Sequence, residues 1–310
     1  MKPLVIVNPR AGGGRAGRVF GEMKPIIERA LGAVDVSFTE RGAHAIDIAR
    51  DASKAGRALI VAVGGDGTLH EVCNGVLDAG GDTAAVGFIG QGTGGDFRRS
   101  LGLEHRLDHY LAAIASGRER RIDVGHATFR HDDGSEGSRW FVNVLSAGIG
   151  GLVDRYVADA NRAMGPTVTY ALATVRALAA FEPVVIMCTL HRGAAREVLS
   201  VPAYVLAVCN GTTLGAGMRI APMAKIDDGQ LEVIVMCPRS KLGFAAYAPK
   251  MYDGTHLGEP GVTTHSCDAV DLAVANPRPG HRVLLDIDGE PLGALPLRIA
   301  IKPRALRIRA

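Results

Sequence analysis

The sequence predicts an N-terminal three-layer α/β domain built on a parallel sheet, followed by a C-terminal, mostly antiparallel β-sandwich domain. Three observations carry this expectation. Apolar runs alternate with segments of helical spacing through the first third of the chain, the pattern of a parallel sheet covered on both faces. Three of those runs end in glycine-rich turns, and in open α/β sheets ligands sit at the carboxyl ends of strands. After Arg121 the texture changes to short alternating segments separated by turn signals, as antiparallel strands require. The expected boundaries are 1–124, 125–294, and a final segment, 295–310, returning to the N-terminal domain.

The elements follow in order. Leu4–Val7 is an apolar strand that runs into Asn8-Pro9-Arg10-Ala11-Gly12-Gly13-Gly14. Apolar residues at helical spacing predict a helix over 19–31. Strand 34–39 and helix 43–55 come next. Strand 59–63 ends in Gly64-Gly65-Asp66-Gly67-Thr68, with a helix over 68–77. Strand 84–89 ends in Gly90-Gln91-Gly92-Thr93-Gly94-Gly95-Asp96. Seven β segments are then expected at 122–130, 139–145, 184–191, 204–208, 231–236, 270–275 and 282–287. One helix, about 168–181, interrupts them. Its apolar stripe (Val168, Ala171, Leu172, Val175, Leu178, Ala179) reads as a buried face or as the wall of an acyl groove.

Composition narrows the function. The 310 residues are 47% hydrophobic and 22% charged, an ordinary globular balance. The net charge of +3 is too small to argue for nucleic acid but suits an anionic lipid surface. Aromatics are only 5%, so no base-stacking platform is expected. Five cysteines without a CxxC pair fit reduced thiols in the cytoplasm better than disulfides or zinc. The first residues hold too short an apolar run for a signal peptide. No uninterrupted apolar stretch reaches the ~18 residues of a membrane span.

The glycine loops carry the chemistry. Gly12, Gly14 and Gly17 satisfy G-x-G-x-x-G, but a run so rich in glycine meets that pattern by chance. Its distance to Glu40, the candidate ribose acid, is also longer than the dinucleotide fingerprint wants. No G-x-x-x-x-G-K-[ST] exists. GGDGT is more demanding. Its glycines admit a ligand close to the backbone, and the helix N-terminus that follows suits phosphate. Thr68 can cap that helix or donate to a phosphate oxygen. Asp66 would repel phosphate, so it makes sense as a holder of Mg²⁺ or as acceptor of a substrate hydroxyl.

GGDGTLHEVCNG, residues 64–75, resembles the signature of the diacylglycerol kinase and sphingosine kinase type of lipid kinase. NAD kinases share its GGDGT within one superfamily. Further landmarks follow in order across nearly the whole chain: Asn8-Pro9 with its glycines, Thr39, Gly92-Thr93 with Asp96-Phe97, Asp123, Ala221-Pro222-x-Ala224, Asp227-Asp228-Gly229-x-Leu231, and Asp288-Gly289-Glu290. Two glycines depart from the family: Gly90 stands for its proline and Gly95 for its asparagine. His70 stands where bacterial members often carry asparagine.

The resemblance implies an ATP- and Mg²⁺-dependent kinase, cytoplasmic and peripheral to the membrane, that phosphorylates a lipid hydroxyl, with diacylglycerol the foremost acceptor. A second copy of the chain is a further candidate partner. Implied nucleotide contacts are Asn8, Gly12, Thr39, Gly64, Gly65, Asp66, Gly67, Thr68, Leu69, His70 and Thr93, with Arg15 and Arg18 within reach of phosphates. Glu290 is the first choice of proton acceptor, with Asp288 and Asp66 beside it. Two residues apart on an extended segment, Asp288 and Glu290 would face one side. Asp228 is the implied metal ligand, with Lys225 and Gln230 contributing backbone oxygen. The alternatives are an NAD kinase-like enzyme and a non-catalytic nucleotide- or lipid-binding protein on the same fold.

Overall fold

The computed structural model describes residues 1–92, 94–131, 134–159, 166–277 and 282–310. β1 (Leu4–Val7), β3 (Leu59–Gly64) and β4 (Ala85–Gly90) are buried along their whole lengths, as unbroken apolar runs require of strands covered on both faces. With β2 (Asp35–Phe38) they form a parallel sheet in the order β2-β1-β3-β4. The chain leaves β1 toward β2 on one side and returns to β3 on the other. Between β1 and β3 the outgoing loops therefore part and leave a crevice.

Five helices connect or follow these strands: α1 (Arg15–Leu31), α2 (His44–Lys54), α3 (Asp66–Asp78), α4 (Asp96–Ser100) and α5 (Leu107–Ala115). Two start earlier than apolar spacing indicates. α1 begins directly after Gly14, which turns the chain at φ 84°, and α3 begins at Asp66 with Gly65 as its N-cap. Thr68 thus lies inside the first turn and does not cap the helix. α4 and α5 were not expected, because five or nine residues carry little periodicity. α3 crosses α2 at Gly75, where a Cβ would overlap the Ile46 carbonyl and stand 2.8 Å from Ala49 Cβ and 2.9 Å from Arg50 N. Gly75→Ala is expected to cost ~1–3 kcal/mol by overpacking, read as a lower denaturant midpoint.

The first sheet continues with strands that come after α5. β5 (Arg120–Arg130), β6 (Glu136–Phe141), β8 (Val184–Arg192), β9 (Ala195–Ala203), β13 (Ala269–Val274) and β16 (Leu297–Arg309) extend it. A second, antiparallel sheet holds β7 (Val144–Gly148), β10 (Val205–Cys209), β11 (Leu231–Met236), β12 (Val262–Cys267), β14 (Leu284–Ile287) and β15 (Glu290–Ala294). Phe141, Leu190, Leu206, Val233, Ile287 and Ile299 pack between the two sheets as one core. β16 serves both halves: it runs antiparallel to β5 and β13, and its last residues pair in parallel with β4, Arg307 opposite Ala85.

The β segment expected at 139–145 is broken into β6 and β7. The physical reason lies at the break, where the Val142 and Asn143 amides turn to the Asp288 carboxylate instead of a neighbouring strand. Helices α6 (Ile149–Asp159), α7 (Pro166–Ala180) and α8 (Lys241–Asp253) bring a further core to the second sheet, with Val153, Ala177 and Tyr247 packed beside Ala207 and Ile234. Among its described side chains the α7 stripe meets the buried face only at the half-buried Leu178. Ala173 and Ala177 point inward, whereas Leu172 and Val175 are exposed; the side chains of Val168 and Ala171 lie outside the described residues. All five cysteines are free, and burial pushes the Cys188 and Cys267 thiols up to about 12, which makes them poor nucleophiles.

Candidate active site

Three glycine turns meet above the β1/β3 crevice. The Gly92 Cβ position would lie 2.6 Å from Gly65 Cα, and a Cβ on Gly12 would overlap the Gln91 carbonyl. Gln91 N donates to Gly64 O at 2.6 Å, and Thr39 N donates to Val7 O at 2.9 Å. Asn8, Gly12, Thr39 and Gly64 to His70 are thus gathered at one end of the sheet. Thr93 lies outside the described residues.

Helix α3 stands in the middle, and its polar side chains each tie down a neighbour. The Asp66 carboxylate accepts Gly95 N at 2.7 Å and Phe97 N at 3.3 Å, so it caps α4. Thr68 Oγ1 accepts from Asn8 Nδ2 at 3.1 Å. Glu71 accepts Ala43 N and Ala45 N, capping α2. Asn74 accepts Trp140 N and donates to Trp140 O, both at 3.0 Å. His70 Nδ1 meets Asp288 Oδ2 at 2.9 Å, with both side chains at most 4% exposed. Asn74 Nδ2 stands 3.3 Å from His70 Nε2, which favours the tautomer that donates from Nδ1.

Asp288 and Glu290 sit at the β14–β15 turn but do different things. The Asp288 carboxylate is filled: besides His70 it accepts Val142 N, Asn143 N and Val144 N, each at 3.0 Å. Glu290 reaches the first turn of α3, where a Cβ on Gly67 would lie 2.7 Å from its Oε1. The hairpin therefore brings one carboxylate onto the amide end of the GGDGT helix while the other locks the hairpin in place.

Several contributing residues were not singled out as site residues. Asp96 is buried, accepts Ala216 N at 2.9 Å and pairs with Arg99 at 3.0 Å. Burial pushes its carboxyl up and the Asp66 charge adds to the rise, against the pull of the Ala216 amide. Both carboxylates face Gly94, whose Cβ position is 2.9 Å from Asp66 Oδ2 and 3.6 Å from Asp96 Oδ2. Asp123 is fully buried and accepts Arg304 N at 2.7 Å and Gly229 N at 2.6 Å. A carboxylate inside the apolar run Ile-Asp-Val-Gly was the available signal for it. Lys225, Asp228 and Gln230 are exposed, and Asp228 Oδ1 accepts Gln230 N at 3.1 Å. Among the described residues no three His, Cys, Asp or Glu side chains gather as a metal-binding group.

The two glycines that depart from the family pattern have local explanations. A Cβ on Gly90 would stand 2.5 Å from the hydroxyl of Tyr110, a buried ring packed edge-on against Phe88. The space a proline would use is taken, so Gly90 permits this packing. Gly95 sits at φ 61°, in the left-handed region that asparagine also tolerates.

Residues 2–127 match the diacylglycerol kinase catalytic domain, and residues 143–310 match the YegS C-terminal NAD kinase beta sandwich-like domain. The chain belongs to the diacylglycerol kinase and YegS type of lipid kinase, within the NAD kinase-like superfamily. It is 28% identical over 298 residues to a probable lipid kinase YegS-like protein of Chromohalobacter salexigens, covering 92% of this chain and 89% of that one. It is 26% identical over 277 residues to the probable lipid kinase YegS of Shigella flexneri, covering 89% and 86%. The fold is similar to the crystal structure of a putative diacylglycerol kinase from Bacillus anthracis, with a TM-score of 0.75 at 23% identity over 99% of this chain and 96% of that one.

Proposed function

We propose that this lipid kinase transfers the γ-phosphoryl group of ATP to the hydroxyl of diacylglycerol, giving phosphatidic acid. The placement of Glu290 against Gly67 is the observation that carries the reading. Asn8, Gly12, Thr39 and Gly64 to Thr68 hold the nucleotide, whereas Leu69 and His70, at 0% and 4% exposure, pack behind them. The amides of the first α3 turn face its phosphates, because a helix leaves these N–H groups without partners inside itself. Glu290 accepts the proton of the acceptor hydroxyl as its oxygen bonds to the γ-phosphorus and the bond to the ADP oxygen breaks. Asp288 keeps the hairpin and His70 in register for that approach.

Mg²⁺ fits the donor chemistry at two places. Asp66 and Asp96 turn carboxylate oxygens toward Gly94, and the family resemblance offers Asp228, with backbone oxygens of Lys225 and Gln230, as the other set. The ion supplies charge neutralisation on phosphoryl oxygens. No helix among the described residues is long and apolar enough to cross a membrane. The lipid is met at a surface instead, for which Leu172 and Val175 on α7 and Leu242 on α8 offer apolar side chains at 52%, 67% and 84% exposure. Lys241, which donates to Ala179 O at 2.6 Å, places the start of α8 beside the end of α7.

The acceptor is tested with γ-labelled ATP and mixed micelles of diacylglycerol, monoacylglycerol or sphingosine. Label extracted with diacylglycerol alone is the expected result. Label in another lipid would replace the acceptor and keep the kinase.

A further inference from the structure

Away from the glycine loops, a second cavity of about 310 Å³ opens between the end of α3 and the bulge of β16. Trp140 forms one wall. Arg121, Lys302 and Arg304 bring three positive charges to it, and Asp82 is its only acidic lining residue. That carboxylate is already matched, by Arg121 at 2.8 Å and Arg307 at 3.5 Å. No carboxylate lies within ion-pair distance of Lys302 or Arg304 among the described residues. Two cations thus converge on a small concave site without a counter-charge from the protein.

We infer that this cavity is a binding site for a phosphomonoester, separate from the nucleotide crevice. A phosphate dianion answers the surplus charge, and an arginine fork with a lysine ammonium is the donor set that phosphate oxygens take. The volume lies at the small end of ligand pockets. It suits a phosphate with a short carbon fragment. The indole supplies a fixed apolar wall for that fragment: its Nε1 donates to Asp78 at 3.1 Å and its ring packs on His126 at 4.0 Å between centroids. The backbone on either side is held too. Arg304 N is bound by the buried Asp123, and both Trp140 backbone bonds go to Asn74. From Asn74 the polar contacts continue to His70 and Asp288, so the cavity adjoins the support of the catalytic hairpin.

Trp140 is the only tryptophan of the chain, so its fluorescence reports the cavity directly. Inorganic phosphate, glycerol 3-phosphate, and phosphatidylcholine vesicles with and without phosphatidic acid are the probes. A saturable change that weakens with added salt is expected. It should weaken at least about tenfold in Lys302→Gln/Arg304→Gln, which removes two charge-assisted contacts from exposed positions. A response to soluble phosphates only assigns a metabolite-type ligand, and a response only to vesicles with phosphatidic acid assigns a lipid headgroup. Absence of a saturable change with every probe overturns the site. So does an equal response in the double variant, which would trace the signal to phosphate bound elsewhere.

Discussion

Glu290→Gln is expected to lower kcat by about 10²–10⁴-fold, the usual contribution of a positioned general base. The KM for ATP and the thermal midpoint should hardly move. The amide keeps the shape of the side chain against Gly67. What disappears is the capacity to take the hydroxyl proton. The measurement is steady-state transfer at saturating lipid, beside a melting curve of the same preparation. A variant with full kcat would remove Glu290 from the chemistry. A variant with a depressed melting point would make the loss of activity uninterpretable as loss of a base.

Much of this site was legible because its residues cluster in sequence. Loops that follow strands of a parallel sheet converge whatever their distance along the chain, so the glycine turns at 8–14, 64–68 and 90–96 could be placed together from the strand pattern, whereas Thr39 was placed only by the family resemblance. The contacts that hold them could not be placed that way. Asp66 reads as a metal or hydroxyl ligand, and nothing local shows that in the fold it also caps α4, which starts 30 residues on at Asp96. Nothing local marks Glu71 as the cap of α2 or Asn74 as the clamp on Trp140. These are long-range pairings chosen by packing. The same limit explains the broken segment at 139–145. Its residues favour a strand, and a carboxylate more than 140 residues away takes its amides.

α3 is therefore both the helix end we propose for the phosphates and the peg on which α2, α4, the β6–β7 break and the β14–β15 hairpin are hung. Altering one of its polar residues changes a neighbour's cap or clamp as well as its own chemistry. Asp66→Ala should lose transfer, and it should also give up about 0.5–2 kcal/mol as α4 loses its cap. Activity alone would not separate the two effects, so Asp66 is a weaker test of the chemistry than Glu290.

Asp288→Ala should separate folding from catalysis in the opposite direction. Its side chain is 3% exposed and accepts from one imidazole and three backbone amides. Removing it leaves those donors facing a void that water reaches poorly. Each buried donor left unmet costs ~1–3 kcal/mol. Even with partial relaxation the sum is on the order of 3–6 kcal/mol, a large share of what holds an ordinary domain folded. Chemical denaturation should show a midpoint far below that of the wild type, and transfer should fall because the hairpin carrying Glu290 is no longer fixed. Asp288→Asn is expected to fall between the two. Its oxygen can still accept amides, and asparagine tolerates the positive φ of 51° found here, but its NH₂ would point a donor at donors. Wild-type stability in the alanine variant would mean that the amides of 142–144 find other acceptors, and that Asp288 serves the reaction and not the frame.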